Sequence, residues 1–172
     1  VVGYVGTLSL VNHPVNLLIE AFALLVNQLP GAVLLIVGGG DDFEALQELA
    51  HRSGIEQIVI FTGRVAPAEV PVYYALADVT VDPVYDNDTA RGRLPLKMFE
   101  SWSMGVPFVT AAVGERVKLA GNPPACILVE PAGDTRVLAE AIQSVLNSAE
   151  LAENLRQLGR ERVKSFSWDI LA

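Results

Sequence analysis

Short apolar runs rich in valine, leucine and isoleucine alternate with stretches at helical spacing from one end of the chain to the other. Few folds accommodate that alternation, because parallel strands need long crossover connections and helices are the usual ones. Strands are expected at Val1–Thr7, Ala32–Val37, Ile58–Phe61, Val79–Asp82, Val106–Thr110 and Cys126–Glu130. Helices are expected at Val15–Gln28, at about 42–53, and at Ala68–Leu76, Pro95–Met104 and Leu151–Lys164, with another reaching about Asn147 from a cap at Asp134 or Thr135. In the first helix Leu17, Leu18, Ala21, Leu24 and Leu25 form an apolar stripe. The pattern implies an α/β domain, a doubly wound parallel sheet of about six strands with helices on both faces. Ligands of such sheets bind beyond the carboxyl ends of the strands. The loops Thr7–Pro14, Gly38–Asp42, Gly63–Pro67, Pro83–Arg93 and Ala111–Arg116 should therefore share one rim, with Tyr85–Arg93 the one polar, irregular stretch.

A chain of 172 residues, 51% of them hydrophobic, suffices for one domain that buries roughly 70% of its unfolded surface. Residues 1–172 are expected to form that single domain. Twenty acidic against twelve basic residues give a net charge of −8, and no run of Lys or Arg occurs, which argues against nucleic acid as a partner. A phosphate-bearing ligand stays compatible with that charge, since local backbone dipoles can hold it. The one cysteine, Cys126, lies in an apolar run and reads as a small core hydrophobe in a reducing compartment. No apolar stretch approaches the ~18–20 residues of a transmembrane helix and no leader peptide opens the chain, so a cytoplasmic domain without a transmembrane segment is expected.

The segment Leu94–Val109, LPLKMFESWSMGVPFV, joins a helix start, a glutamate and a buried strand. Pro95 suits the first helical turn, Gly105 the C-cap, and Pro107 falls within the apolar run Val106–Thr110. Met98, Phe99, Trp102 and Met104 face one way, and Glu100 falls off that stripe. Lys97 and the free N–H groups of the first turn would attract an anion. On pattern alone, Glu100 is equally well a solvated surface residue.

This segment resembles the donor-site signature of the group 1 (family four) retaining glycosyltransferases, roughly S-P-L-K-[LM]-F-E-x-[LMW]-[AS]-x-G-x-P-V-V. YVGTLSLVNHPVNLLIEAFALL is similar to that family's opening, LLIVGGG to its second unit, FTGRVAPAEVPVYYALADVTVDP to its third, and ILVEPAGDTRVLAEAI to a later one. The resemblance implies the GT-B architecture, in which two Rossmann-like domains face a cleft, the C-terminal one holding a UDP-, GDP- or ADP-sugar and the N-terminal one an acceptor glycan or lipid. Only the donor half is matched here, and the chain starts directly in a strand, so a fragment lacking the acceptor domain, inert by itself, is expected. In such a family the full-length enzyme can sit peripherally at a membrane face. The last segment, Phe166–Ala172 with Trp168, would cross back toward the other domain.

Carried over residue by residue, the resemblance makes Glu100 the acceptor of the ribose hydroxyls, a task suited to an acceptor-only carboxylate. The family's first acid should stand eight positions earlier, where this chain has Gly92. Asp86 or Asp88 could substitute, or backbone N–H groups around Arg93, Leu94 and Leu96 could hold the sugar. Beyond Gly6, where relatives place a diphosphate-binding arginine and lysine, stand Thr7 and His13. His13 fits the family's H-G-V variant or is a surface residue at a helix start. Arg93 and Lys97 are then the expected phosphate cations, with Arg91 in reserve; with Glu100 they form the expected catalytic set. Gly38, Gly39 and Gly40 read either as a turn that lets backbone approach a ligand or as a plain strand-to-helix turn. Gly63, Arg64 and Val65 should lie along the nucleobase edge. No resident cofactor is expected; His51 and Cys126 lack partners at metal-ligand spacing, and no nucleophile–histidine–acid set is evident.

The expected function is metal-independent transfer of a sugar with retention. Rivals are a GT-B epimerase or phosphorylase and a non-catalytic nucleotide-sugar-binding domain. A nicotinamide-binding Rossmann domain is disfavoured, because no G-x-G-x-x-G follows the first strand.

Overall fold

The computed structural model describes residues 1–166 and contains β1 (Val2–Val5), β2 (Leu34–Val37), β3 (Val59–Phe61), β4 (Val79–Asp82), β5 (Phe108–Ala111) and β6 (Ile127–Val129). All pair in parallel, in the order β3-β2-β1-β4-β5-β6. The chain starts at the centre, winds outward to β3, and returns to place β4 on the other side of β1. Val2 faces both Leu34 and Val79 across this junction. The reversal opens a crevice between the carboxyl ends of β1 and β4. Strands β2, β4 and β5 are buried along their whole length, which is why they read as continuous apolar runs rather than alternating ones.

The α-helices among the described residues are α1 (Val15–Leu25), α2 (Phe43–Arg52), α3 (Val70–Ala75), α4 (Asp88–Gly92), α5 (Leu96–Ser103), α6 (Arg116–Ala120), α7 (Thr135–Asn147) and α8 (Ala149–Lys164). α1 packs against α2 and α7, while α5 packs against α8, so helices cover both sides of the sheet. Two apolar clusters result. The larger contains Leu17, Leu18, Ile36, Val81 and Ile142, the smaller Met98, Trp102, Phe108 and Cys126. Cys126 is buried there, and burial pushes its thiol pKa up to about 12, as befits an inert core residue. Gly159 matters to the smaller cluster, because a Cβ there would lie 2.5 Å from the Trp102 ring. Among the described residues, no helix is long and apolar enough to cross a membrane.

Several expectations need correction. The first helix stops at Leu25 instead of Gln28, and Leu24 points outward, 48% exposed. The stretch 85–93 is not irregular throughout: Asn87 accepts a hydrogen bond from Ala90 N at 2.8 Å and starts α4. Pro95 is the N-cap of α5 and not part of its first turn, and α6 arises in a segment read only as loop. Asp134 caps α7, accepting from the backbone N–H of Arg136 and Val137. Trp168 and the return of the chain expected after Phe166 lie outside the described residues.

Candidate functional site

The crevice holds a cleft of two adjoining lobes of about 350 and 330 Å3, whose linings share Val5, Gly6, Thr7 and Val70. One lobe is lined by Gly38, Gly39, Arg64 and Val65, the other by His13, Asp82, Arg93, Leu94, Leu96, Lys97 and Glu100. Gly63 stands just behind, its carbonyl accepting from Gly38 N at 3.0 Å. Apart from Asp86, Asp88 and Arg91, the residues singled out for binding in the sequence are thus in or beside this cleft.

Helix α5 carries the second lobe and is anchored from below. Met98 and Trp102 are fully buried, Trp102 Nε1 donates to the Ala125 carbonyl at 2.9 Å, and the Ser101 and Thr80 hydroxyls hydrogen-bond each other across to β4. That anchoring turns Leu96, Lys97 and Glu100 toward the cleft. Lys97 sits where the helix dipole is positive, an unfavourable place for a cation unless an anion is near. Asp82, at the end of β4, is that anion: Lys97 Nζ donates to Asp82 Oδ1 at 3.1 Å, and Arg116 donates to Oδ2 at 2.9 Å. Arg116 is fully buried and also donates to the Ala90 carbonyl at 3.0 Å, while its Nε has no partner among the described residues.

Burial pushes the Asp82 carboxyl upward, yet Lys97 and Arg116 together outweigh it and hold the pKa below the ordinary carboxylate value. Lys97 Nζ also lies 3.3 Å from His13 Nδ1 and over the Tyr4 ring. Burial, then Lys97 and Arg93, lower His13 to a pKa of about 4, so it is neutral at pH 7. An ammonium can only donate, so Nδ1 accepts and Nε2 carries the proton. Arg93 has no ion-pair partner among the described residues. Two cations, Lys97 and Arg116, therefore hold one buried carboxylate, and Arg93 lines the same lobe. This end of the cleft is locally positive in a chain of net charge −8.

Glu100 is exposed at the cleft mouth, and its Oε2 accepts from the buried Tyr74 hydroxyl at 2.7 Å. At the opposite lobe the wall is backbone. A Cβ on Gly38 would overlap the Gly6 carbonyl oxygen, and one on Gly40 the Leu8 carbonyl oxygen, so these glycines let two loops cross. Gly38 and Gly40 thus serve close packing between turns, a role that neither reading of Gly38–Gly40 contained. Gly39 remains at the cleft, with Arg64 lying across it.

Comparison with known proteins bears on what such a cleft belongs to. The family model described as "Glycosyl transferases group 1" matches residues 1–148. The chain belongs to that family. A GDP-mannose-dependent alpha-(1-6)-phosphatidylinositol monomannoside mannosyltransferase of Mycobacterium tuberculosis (strain ATCC 25618 / H37Rv) is 32% identical over 158 residues, covering 90% of this chain and 41% of that protein. A D-inositol 3-phosphate glycosyltransferase of Corynebacterium urealyticum (strain ATCC 43042 / DSM 7109) is 27% identical over 176 residues, covering 98% and 40%. Among solved structures, a sucrose-phosphate synthase from Thermosynechococcus elongatus superimposes with a TM-score of 0.83 at 30% identity, covering 98% of this chain and 41% of that one. The chain spans about two fifths of the length of these relatives.

Within this group 1 glycosyltransferase chain, Arg93 and Lys97 share one lobe of the cleft, and of the phosphate cations read from sequence only Arg93 lacks an ion-pair partner among the described residues. Lys97 is already paired, and Arg91 is engaged bidentately by Asp86 at 2.7 and 2.9 Å, outside the cleft lining. Neither Asp86 nor Asp88 lines the cleft: Asp86 is bound by Arg91, and Asp88 is exposed. His51 pairs with Glu56 on the far helix. Among the described residues, no group of three His, Cys, Asp or Glu is placed to hold a metal ion. Sequence reading missed Asp82, Arg116 and Tyr74. Asp82 did carry a signal, as an acid ending an otherwise apolar buried strand, since a buried charge needs a partner.

Proposed function

We propose that this chain is the donor-binding half of a retaining glycosyltransferase, and that its cleft holds a nucleoside-diphosphate sugar. The observation that carries this reading is the Lys97–Asp82–Arg116 cluster at the start of α5, one turn from Glu100, with Arg93 lining the same lobe. The diphosphate would lie against Lys97, Arg93 and the α5 N-terminus, and the ribose hydroxyls on Glu100. The base would extend into the lobe at Gly39, Arg64 and Val65. As the sugar–phosphate bond breaks, negative charge grows on the leaving diphosphate. Cations and N–H dipoles fixed in advance stabilise that charge more than the ground state, without a metal ion. Glu100 contributes by positioning.

The acceptor, a glycan or a lipid-borne sugar, would come from an N-terminal domain, so this chain alone should bind donor without turning it over. The name of the mycobacterial relative makes GDP-mannose the first donor to try, before UDP- and ADP-sugars. A thermal-shift panel tests this reading. A matched nucleotide sugar at a hundred times its Kd should add about 2.7 kcal/mol of stability, and NAD should add little. Stabilisation by NAD alone, with no response to GDP-mannose, UDP-glucose or ADP-glucose, would overturn it.

A further inference from the structure

Resting on the reading of Glu100 as the ribose acceptor, we infer that Tyr74 is a positioning residue that holds the Glu100 carboxylate apart from Lys97 and ready for the ribose diol. Glu100 and Lys97 stand three positions apart on α5, the spacing at which opposite charges on a helix meet. They do not meet here. Lys97 is drawn away by Asp82 and His13, and Glu100 by the Tyr74 hydroxyl, 26 residues earlier on α3. Either pull alone would leave one member free to swing across to the other. A Lys97–Glu100 pair would neutralise the two groups that the proposed ligand needs at once.

The chemistry of the contact suits this role. Tyr74 is 2% exposed, so its ring is fixed by packing, and only the hydroxyl reaches the carboxylate. Burial, and then the bond to Glu100, push the phenol pKa upward, so the hydroxyl stays protonated and always donates. A carboxylate offers about four lone-pair sites, and Tyr74 takes one of them on Oε2. Those left over suffice for the two hydroxyls of a ribose. A long exposed side chain otherwise loses rotamer freedom when it binds, and Tyr74 removes much of that loss beforehand.

The test is the ratio of affinities for a ribonucleotide and its 2′-deoxy form, measured by calorimetry with GDP, UDP and ADP on the wild type, Tyr74→Phe and Glu100→Gln. Phenylalanine keeps the ring in its pocket and removes only the donor. Glu100→Gln should abolish most of the ribose preference, and Tyr74→Phe should reduce it about fivefold, the worth of one typical hydrogen bond. Inorganic pyrophosphate should bind Glu100→Gln as it does the wild type. Loss of preference in Glu100→Gln with full preference in Tyr74→Phe would overturn the role of Tyr74 and leave Glu100 in place. Full preference in Glu100→Gln, or no nucleotide binding at all, would overturn the reading of Glu100 and the inference with it.

Discussion

At the glycine end of the cleft the wall is main chain, where the loops after β1, β2 and β3 are bound to one another through Gly6 N, Leu8 N and Gly38 N. At the charged end the wall is made of long side chains, each of which keeps its place only through another: Lys97 through Asp82, Asp82 through Arg116, Glu100 through Tyr74. Backbone walls are rigid and tolerate no added atoms. Side-chain walls tolerate change in shape but not in charge. One cleft thus combines a surface suited to a flat ring with a cradle suited to a polyanion, and the two should fail in different ways.

The largest effect is expected at Asp82. Asp82→Asn keeps the shape but leaves buried Arg116 and nearly buried Lys97 without their anion, and should cost about 3–5 kcal/mol in urea unfolding. A loss below about 1 kcal/mol would mean that the cations need no counter-ion. Because the folded Asp82 pKa is depressed, its stabilisation is complete above the unfolded value of about 3.9 and disappears as pH falls through the folded one. The wild type should therefore lose this contribution only in acid, while Asp82→Asn shows a flatter profile there.

Replacing Arg93 and Lys97 together by alanine should weaken nucleoside-diphosphate binding by about 2–4 kcal/mol in calorimetry, since two charge-assisted contacts vanish. Unchanged affinity would move the phosphates elsewhere. At the other end Gly38→Ala should cost about 1–3 kcal/mol of stability, because the new methyl would overlap the Gly6 carbonyl. A neutral outcome would show that the backbone wall yields more easily than the charged one.

The sheet was legible because β2, β4 and β5 are buried along their whole length and read as apolar runs, and α5 because Pro95 and Gly105 mark its ends. α4 was not: it is a five-residue helix in a polar stretch, with Asn87 as its main local sign. Glu100, Lys97 and Arg93 were found through the motif that surrounds them. Their supports were not, because they act across the fold: Arg116 reaches Asp82 over 34 positions and Tyr74 reaches Glu100 over 26. Gly38 and Gly40 were found as glycines, but only the crossing of the first and second loops shows why they must be.

Whether one ligand spans both ends is most directly tested by amide 1H–15N shifts of the chain titrated with GDP-mannose, and separately with inorganic pyrophosphate. The nucleotide sugar should perturb amides at Gly63–Val65 and at Leu94–Lys97 together, and pyrophosphate only the second set. Perturbations confined to one end with the nucleotide sugar, or lying on the outer face of α8, would contradict a single donor cleft running from the glycine turns to the Asp82 cluster.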